Sequence, residues 1–318
     1  MAGTDKLGSF YRHKKGKVIP LVVMVKSIIN ENDLSKADVV LLGAPYEKTA
    51  SSHKGTVGGP SKVVEMLDSQ IEFFDRNFKV NVNYFVKTAY LSLKQISELP
   101  PEQCLAEIKK ICDNLVAQDK FIFLLGGEHA VSLGLFQALA EKHNPKDVTI
   151  LQIDAHCDLR NDDSDYSDTP SPLAHSAIMR RASELGYPIV QVGIRTYNED
   201  EYKYFSDKKN NVTVFEWRKG AIPVEDILGA IKTKYLYITV DVDGFDPSVF
   251  PGTGTPVQGG LSWYYGVDFI EQSINKFELI GADIVEVSPE ADTVQTEYGA
   301  AQLAYTMIAN KFRSKLRS

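Results

Sequence analysis

The stretch DAHCD, residues 154–158, carries a potential metal ligand at every second position: Asp154, His156 and Asp158. DVDGFDP, residues 241–247, repeats the spacing with Asp241 and Asp243, and GGEH, residues 126–129, ends on His129. Side chains on a strand alternate faces, so residues two apart point the same way. In extended conformation, Asp154, His156 and Asp158 share one side and Ala155 and Cys157 the other. Val242 turns to the core between Asp241 and Asp243. Gathered together, two imidazoles and four carboxylates are too costly to hold partly buried unless a cation offsets them. Oxygen and imidazole donors without paired thiolates suit Mn²⁺ over a thiolate zinc site, and Ni²⁺ and Co²⁺ accept similar ligands. Two such ions, ~3.5–4 Å apart, are the usual arrangement for activating one water. Each motif alone has an ordinary explanation: a turn or cap for Asp-X-Asp, a satisfied core residue for one His. Three motifs at three expected strand ends are poorly explained by three independent turns.

The elements that must position these residues are legible as alternation. Apolar β-rich runs are expected as strands at 37–45, 120–127, 148–156, 187–195, 211–217, 234–247 and 277–289. Helices are expected from Pro60, at 100–119, at 130–143 and from about Glu297 to Lys311, by apolar spacing and by the preference for Pro in a first turn. Alternating apolar strands and helices predict a parallel sheet covered on both faces, with the site at the carboxyl ends of its strands. GGEH, DAHCD, DVDGFDP and EVSPE (286–290) all fall at such ends.

With 318 residues and 43% hydrophobic content, the chain can bury a large core. The net charge of −7 argues against a nucleic-acid partner, since such proteins carry a basic excess. No stretch approaches the ~20 apolar residues of a membrane helix. The run from Val18 to Val25 is broken by Pro20 and reads as a buried strand rather than a signal peptide. Three cysteines, Cys104, Cys112 and Cys157, form no complete disulfide set and point to a reducing, cytoplasmic compartment. Cys157 is expected to pack rather than react. His13 is expected to be solvated among lysines and His143 to sit near a helix end, while His53 falls in a loop near the expected pocket mouth.

GGEH, DAHCD, DVDGFDP with the following PGTGTPVQGGL (251–261), and EVSP resemble the ureohydrolase superfamily of arginases, agmatinases and their relatives. The likeness runs from about Val39 to the last helix, and the loop GAPYEKTASSHKGTVGGP (43–60) resembles the family more loosely. Within the superfamily, SPLAHSAIMRRA (171–182) and the serine of EVSP look most like agmatinases. The resemblance implies a three-layer α/β/α sandwich on a mainly parallel eight-stranded sheet. It implies one domain over 1–318, with a core at about 37–311 and residues 1–36 packed on it as an extension. It also implies a binuclear Mn²⁺ centre. His129 and Asp158 would hold one ion, His156 and Asp243 the other, and Asp154 and Asp241 both. Two departures, Glu128 where Asp is common and Ala130 where Ser or Thr is common, touch no ligand position.

The implied reaction is hydrolysis of a guanidino compound by hydroxide generated at the metal pair. Asp158 would pass a proton to the leaving nitrogen, Glu286 would bind the guanidinium, and His175 would shuttle protons. The substrate's far end is expected to meet the loop 160–172. Its aspartates, Asp162, Asp163, Asp165 and Asp168, suit an amine end such as that of agmatine, whereas Arg160 could clamp a carboxylate. Arginine and guanidinobutyrate are the alternative substrates, and a non-catalytic metal-binding homologue is the alternative class. A metal-dependent deacetylase is disfavoured because the chain has no His-His pair. A trimer or hexamer is expected from the same resemblance.

Overall fold

In the computed structural model, residues 11–14, 17–20, 27–218 and 220–317 are described. β1 (Tyr11–Lys14) and β2 (Lys17–Pro20) form an antiparallel pair outside the main sheet. The run expected as a buried strand over 18–25 is thus described only to Pro20, where it pairs with β1; the remainder lies outside the described residues.

The main sheet contains β3 (Val39–Ala44), β4 (Thr88–Ser92), β5 (Phe121–Gly126), β6 (Val148–Ile153), β7 (Ile189–Ile194), β8 (Val212–Glu216), β9 (Tyr235–Asp241) and β10 (Glu278–Val285). Its order is β4-β3-β5-β10-β9-β6-β7-β8, and every neighbouring pair is parallel. The sheet is therefore wholly parallel, as the continuous apolar runs require. β4 is the strand that pattern reading missed: TAYLS is short, half-exposed beyond Ala89, and sits at the sheet edge. Ile28 is buried against this edge, and the Asn30 side chain accepts from Thr88 N–H at 2.9 Å.

Helices cover both faces. α1 (Gly59–Ser69) begins with Pro60 in its first turn, and α2 (Pro101–Ala117) buries Cys104, Leu105, Ile108, Cys112 and Leu115 at helical spacing. A 3₁₀ turn, His129–Val131, leads into α3 (Ser132–Lys142). α4 (Ile178–Glu184), α5 (Glu199–Ser206), α6 (Val224–Ala230) and α7 (Trp263–Lys276) follow. α8 (Gln295–Lys311) and the short α9 (Arg313–Leu316) close the described chain.

Strand residues alternate between two cores. Val39, Leu41, Phe123, Leu151, Ile238 and Ile284 pack with α1, α6, α7 and α8. Val40, Leu42, Leu124, Ile150 and Ile189 pack with α2, α3 and α4. Cutting one of these large side chains to Ala typically costs about 2–5 kcal/mol.

This order places the site. β5, β10, β9 and β6 are consecutive in the sheet although they lie far apart in the chain. Each carries one of the polar motifs at its carboxyl end, so strand order brings His129, Glu286, Asp241 and Asp154 to one crevice.

Candidate metal centre

The alternation expected for DAHCD does not persist. β6 stops at Ile153, His156 makes an isolated bridge to Thr196, and Asp158 has a φ of 52°. A turn, not a straight strand, brings Asp154, His156 and Asp158 together. The left-handed backbone of a non-glycine residue costs about 1–3 kcal/mol. At Asp158 it is held by Met179 and Arg180 N–H groups donating to its carbonyl at 3.0 and 3.2 Å. Glu286 is also left-handed, with a φ of 61°, and its N–H donates to Gly127 O at 2.8 Å.

β9 carries Asp241 as its last residue, and a 3₁₀ turn, Val242–Gly244, follows. Asp243 N–H donates to Asp241 Oδ1 at 2.9 Å, and Val242 is buried in the core. A Cβ at Gly244 would lie 2.6 Å from Asp154 N, so only glycine lets these two ligand loops touch. The Arg195 guanidinium binds the same turn through Asp243 O and ties it to Val257 O, both at 2.6 Å.

The six expected ligand residues converge. His129 Nδ1 lies 3.0 Å from Asp158 Oδ2, 3.2 Å from Asp154 Oδ2 and 3.7 Å from Asp241 Oδ2. His156 Nδ1 lies 3.0 Å from Asp243 Oδ2 and 3.7 Å from Asp154 Oδ1. Two groups of possible ligand atoms result, His129 with Asp154 and Asp241, and Asp154 with His156 and Asp243, sharing Asp154.

Burial and mutual repulsion set the charge state of the cluster. Burial and the neighbouring charges of Asp243 and Asp154 push the Asp241 carboxyl well up, and burial followed by Asp154 raises Asp158 to about 6. Burial also raises Asp243, with His156 opposing the shift. Burial disfavours a charged His156, but Asp243 and Asp154 prevail and raise it to about 11. His129 is raised too, against burial, by Asp154 and Asp158. Asp154 alone moves down: burial opposes its charge, and the two imidazoles prevail. His129 Nδ1 is buried without a hydrogen-bond partner although three carboxylates face it. A ring nitrogen with no hydrogen-bond partner, faced by three carboxylates, is a position a divalent cation fits once the proton is displaced.

Beside the cluster, Glu286 Oε1 accepts the His129 N–H at 2.7 Å and stands 3.6 Å from His175 Nδ1. His175 precedes α4 in a 3₁₀ turn, and its own N–H donates to Thr49 Oγ1 at 3.0 Å. Thr49 is gripped by Glu128, which accepts its hydroxyl at 2.6 Å and its N–H at 2.8 Å. The unexpected Glu128 therefore ties the first loop to the His175 turn. A cleft of about 270 Å³ opens over His156, Asp158, His175, Asp241 and Glu286.

The proposed substrate residues of the 160–172 loop are placed differently from one another. Arg160 lines the cleft, pairs with Asp165 and lies 5.8 Å from the Tyr166 ring centre. Asp163 is buried under its own loop and accepts the Ser171 N–H at 2.5 Å. Asp162 caps Ser164 N–H at 3.0 Å and lines a neighbouring depression. Neither Asp162 nor Asp163 lines the cleft, because loop-internal hydrogen bonds occupy them. His53 is exposed and His143 packs on Tyr235, with ring centres 4.9 Å apart. The His13 side chain lies outside the described residues. Cys157 is buried in the core.

Several cleft residues escaped sequence reasoning. Asn198 and Glu201 form a reciprocal capping box on α5, and Glu201 Oε1 also accepts Leu159 N–H at 3.0 Å. The Asn-x-x-Glu spacing of NEDE was the available signal. Ser51 and Thr255 also line the cleft and carried no signal of their own.

A wholly parallel α/β sandwich with a carboxylate–imidazole cluster at its central strand ends defines a class of metal-dependent hydrolases. The arginase family model matches residues 37–309, and the chain belongs to this family. It is 33% identical over 279 residues to an N(1)-aminopropylagmatine ureohydrolase of Synechocystis sp., covering 86% of this chain and 88% of that protein. It is 31% identical to an agmatinase of Halalkalibacterium halodurans, covering 88% and 94% of the two chains. The crystal structure of agmatine ureohydrolase of Thermoplasma volcanium superposes with a TM-score of 0.76 at 25% identity, covering 92% of this chain and 96% of that one. The chain is a hydrolase of the ureohydrolase type, which acts on guanidino compounds.

Proposed function

We propose that the chain hydrolyses agmatine to putrescine and urea, a step of polyamine biosynthesis, with two Mn²⁺ ions held by His129, Asp154, His156, Asp158, Asp241 and Asp243. When bound, such a metal pair supplies Lewis acidity and hydroxide from water at neutral pH. Glu286 receives the guanidinium, and the His129 N–H on its Oε1 fixes the plane of the carboxylate. Addition of hydroxide to the guanidinium carbon gives a tetrahedral intermediate, and the carbon–nitrogen bond to the alkyl amine then breaks. Asp158 carries the proton toward that nitrogen, and His175 exchanges protons with solvent through the cleft.

One observation carries the choice of an amine-ended substrate. Among the described residues, Arg160 is the one Lys or Arg that lines the cleft, and Asp165 already pairs with it. A substrate carboxylate, as in arginine or guanidinobutyrate, meets no unpaired Lys or Arg there among the described residues. A second reading, N(1)-aminopropylagmatine, is favoured by a different feature. The cleft shares Arg160 and Asn198 with a depression of about 460 Å³, where Asp162, Asp165, Asp200 and Asp207 face Arg160, Arg180 and Lys203, four carboxylates to three cations. That extension suits a longer polycation.

Urea release from agmatine, N(1)-aminopropylagmatine, arginine and guanidinobutyrate, each with Mn²⁺-loaded protein, tests these readings. Agmatine should be preferred, and Asp241→Ala should abolish release. Preference for arginine or guanidinobutyrate would overturn the substrate reading, and release from none of the four would overturn the enzyme reading. We also read the chain as one domain and a cytoplasmic homo-oligomer, trimer or hexamer. Three free buried cysteines support the compartment, and among the described residues no helix is long and apolar enough to cross a membrane. Sedimentation velocity decides the assembly.

A further inference from the structure

Beneath the ligand cluster lies a row of buried polar side chains inside strands that are otherwise apolar. Asp283 of β10 is in register with Thr239 of β9, Thr239 with Gln152 of β6, and Gln152 with Gln191 of β7. All four are fully buried. In parallel neighbours, residues in register share a face, so the row crosses the centre of the sheet as one polar layer. Buried polar groups are retained at a cost unless satisfied; here Asp283, Thr239 and Gln152 bond one another or groups of the site above, and Gln191 Oε1 is left without a partner.

The hydroxyl of Thr239 donates to Asp283 Oδ1 at 2.6 Å, and Tyr237 donates to Asp283 Oδ2 at 2.7 Å. His129 Nε2 lies 2.8 Å from Thr239 Oγ1. A hydroxyl has one proton, and the Thr239 proton is committed to the carboxylate. Thr239 Oγ1 can therefore only accept from His129, which puts the ring proton on Nε2. In the neutral ring the lone pair is then on Nδ1, the atom that faces Asp154, Asp158 and Asp241 without a hydrogen-bond partner.

We propose that Asp283, acting through Thr239, is a positioning residue that locks the His129 tautomer and ring plane and so sets the affinity of the His129 cation site. The proposal rests on the metal-centre reading above. Gln152 supports the other half of the layer: its Nε2 donates to Asp154 Oδ2 at 2.6 Å, and its Oε1 accepts from Gln191 Nε2 at 2.5 Å. Loss of the Thr239 hydroxyl frees the imidazole to take the other tautomer, with a proton where the cation belongs. Outer-shell partners of this kind typically alter metal affinity by about 10–100-fold.

The test is Mn²⁺ binding by calorimetry, with metal content after desalting, on wild type, Thr239→Val, Thr239→Ser and Asp283→Asn. Wild type should bind two ions per chain. Thr239→Val should weaken one site by roughly tenfold to hundredfold, retain about one ion after desalting, and keep the second site unchanged. Thr239→Ser restores the hydroxyl and should restore two ions. Asp283→Asn should follow Thr239→Val. Two tight ions in Thr239→Val overturn the proposal, as does a Thr239→Ser protein as weak as Thr239→Val. Equal weakening of both sites in a folded Thr239→Val protein also overturns it, because that pattern marks a general packing role. Should Asp283→Asn fail to fold, the Val and Ser pair at 239 still decides. Absence of metal binding in wild type instead refutes the metal centre on which the proposal stands.

Discussion

His175 and Glu286 form the part of the candidate site proposed to act on substrate without holding metal. Burial disfavours a charged His175, but the Glu286 carboxylate prevails and raises the imidazole to about 9. A raised histidine keeps its proton below that value and loses it above. A step that needs protonated His175 therefore persists through neutrality and fails toward pH 9. Glu286→Gln removes the largest supporting partner, so the His175 titration should move to lower pH, measurable by NMR of ring-labelled protein. An unmoved titration would show that Glu286 does not govern His175. The same substitution removes one charge-assisted contact to the guanidinium, roughly 1.5–3 kcal/mol. It should lower kcat/KM by roughly tenfold to hundredfold. An undiminished kcat/KM would remove Glu286 from substrate binding.

The loops between elements bring these side chains together, and one of them departs from the common pattern. Glu128 is buried and raised to about 7 by burial, and Thr49 supplies both a hydroxyl and an N–H to it. Thr49→Val deletes one of these donors and the acceptor of the His175 N–H. Leaving such groups unsatisfied costs about 1–3 kcal/mol. The urea denaturation midpoint should fall accordingly, and turnover should fall with it as the His175 turn loosens. An unchanged midpoint would mean that the loop is held by other contacts. Much of this scale was legible in the sequence, because seven strands of the main sheet read as apolar runs. Thr88–Ser92 did not, since an edge strand with one half-exposed side carries no such run. Asp154, His156 and Asp158 do meet His129 and Asp243 in the structure, but not by the expected geometry, which fails after Ile153 because alternation cannot foresee a left-handed Asp158. The polar row of Gln152, Gln191, Thr239 and Asp283 was hidden for another reason. Each residue is an isolated interruption in its own strand, and only the strand order joins them.

At the scale of the whole molecule, the proposed metal site would couple stability to metal as well as to pH. In the metal-free protein Asp158, Asp241, Asp243, His129 and His156 are all raised, so the folded chain holds more protons than the unfolded one. Asp154 alone opposes this, being lowered. The sign follows from linkage: where the folded state binds more protons, stability falls as pH rises. For the carboxylates this loss begins above their unfolded values near 4. For the histidines it begins near 6.5 and continues toward about 11 at His156. A bound cation replaces those protons, so its stabilising effect grows over the same range. At free Mn²⁺ about 100-fold above each dissociation constant, two sites contribute roughly 2.7 kcal/mol apiece. For a chain of this size that corresponds to a rise in Tm of roughly 5–10 °C. Chelation should lower Tm by that amount at pH 8, and the gap should narrow at pH 6 as protons compete for the same ligands. Calorimetric scans with and without chelator at the two pH values measure it. A gap that is equal at both, or wider at pH 6, would mean that the raised groups are not the ones the metal displaces.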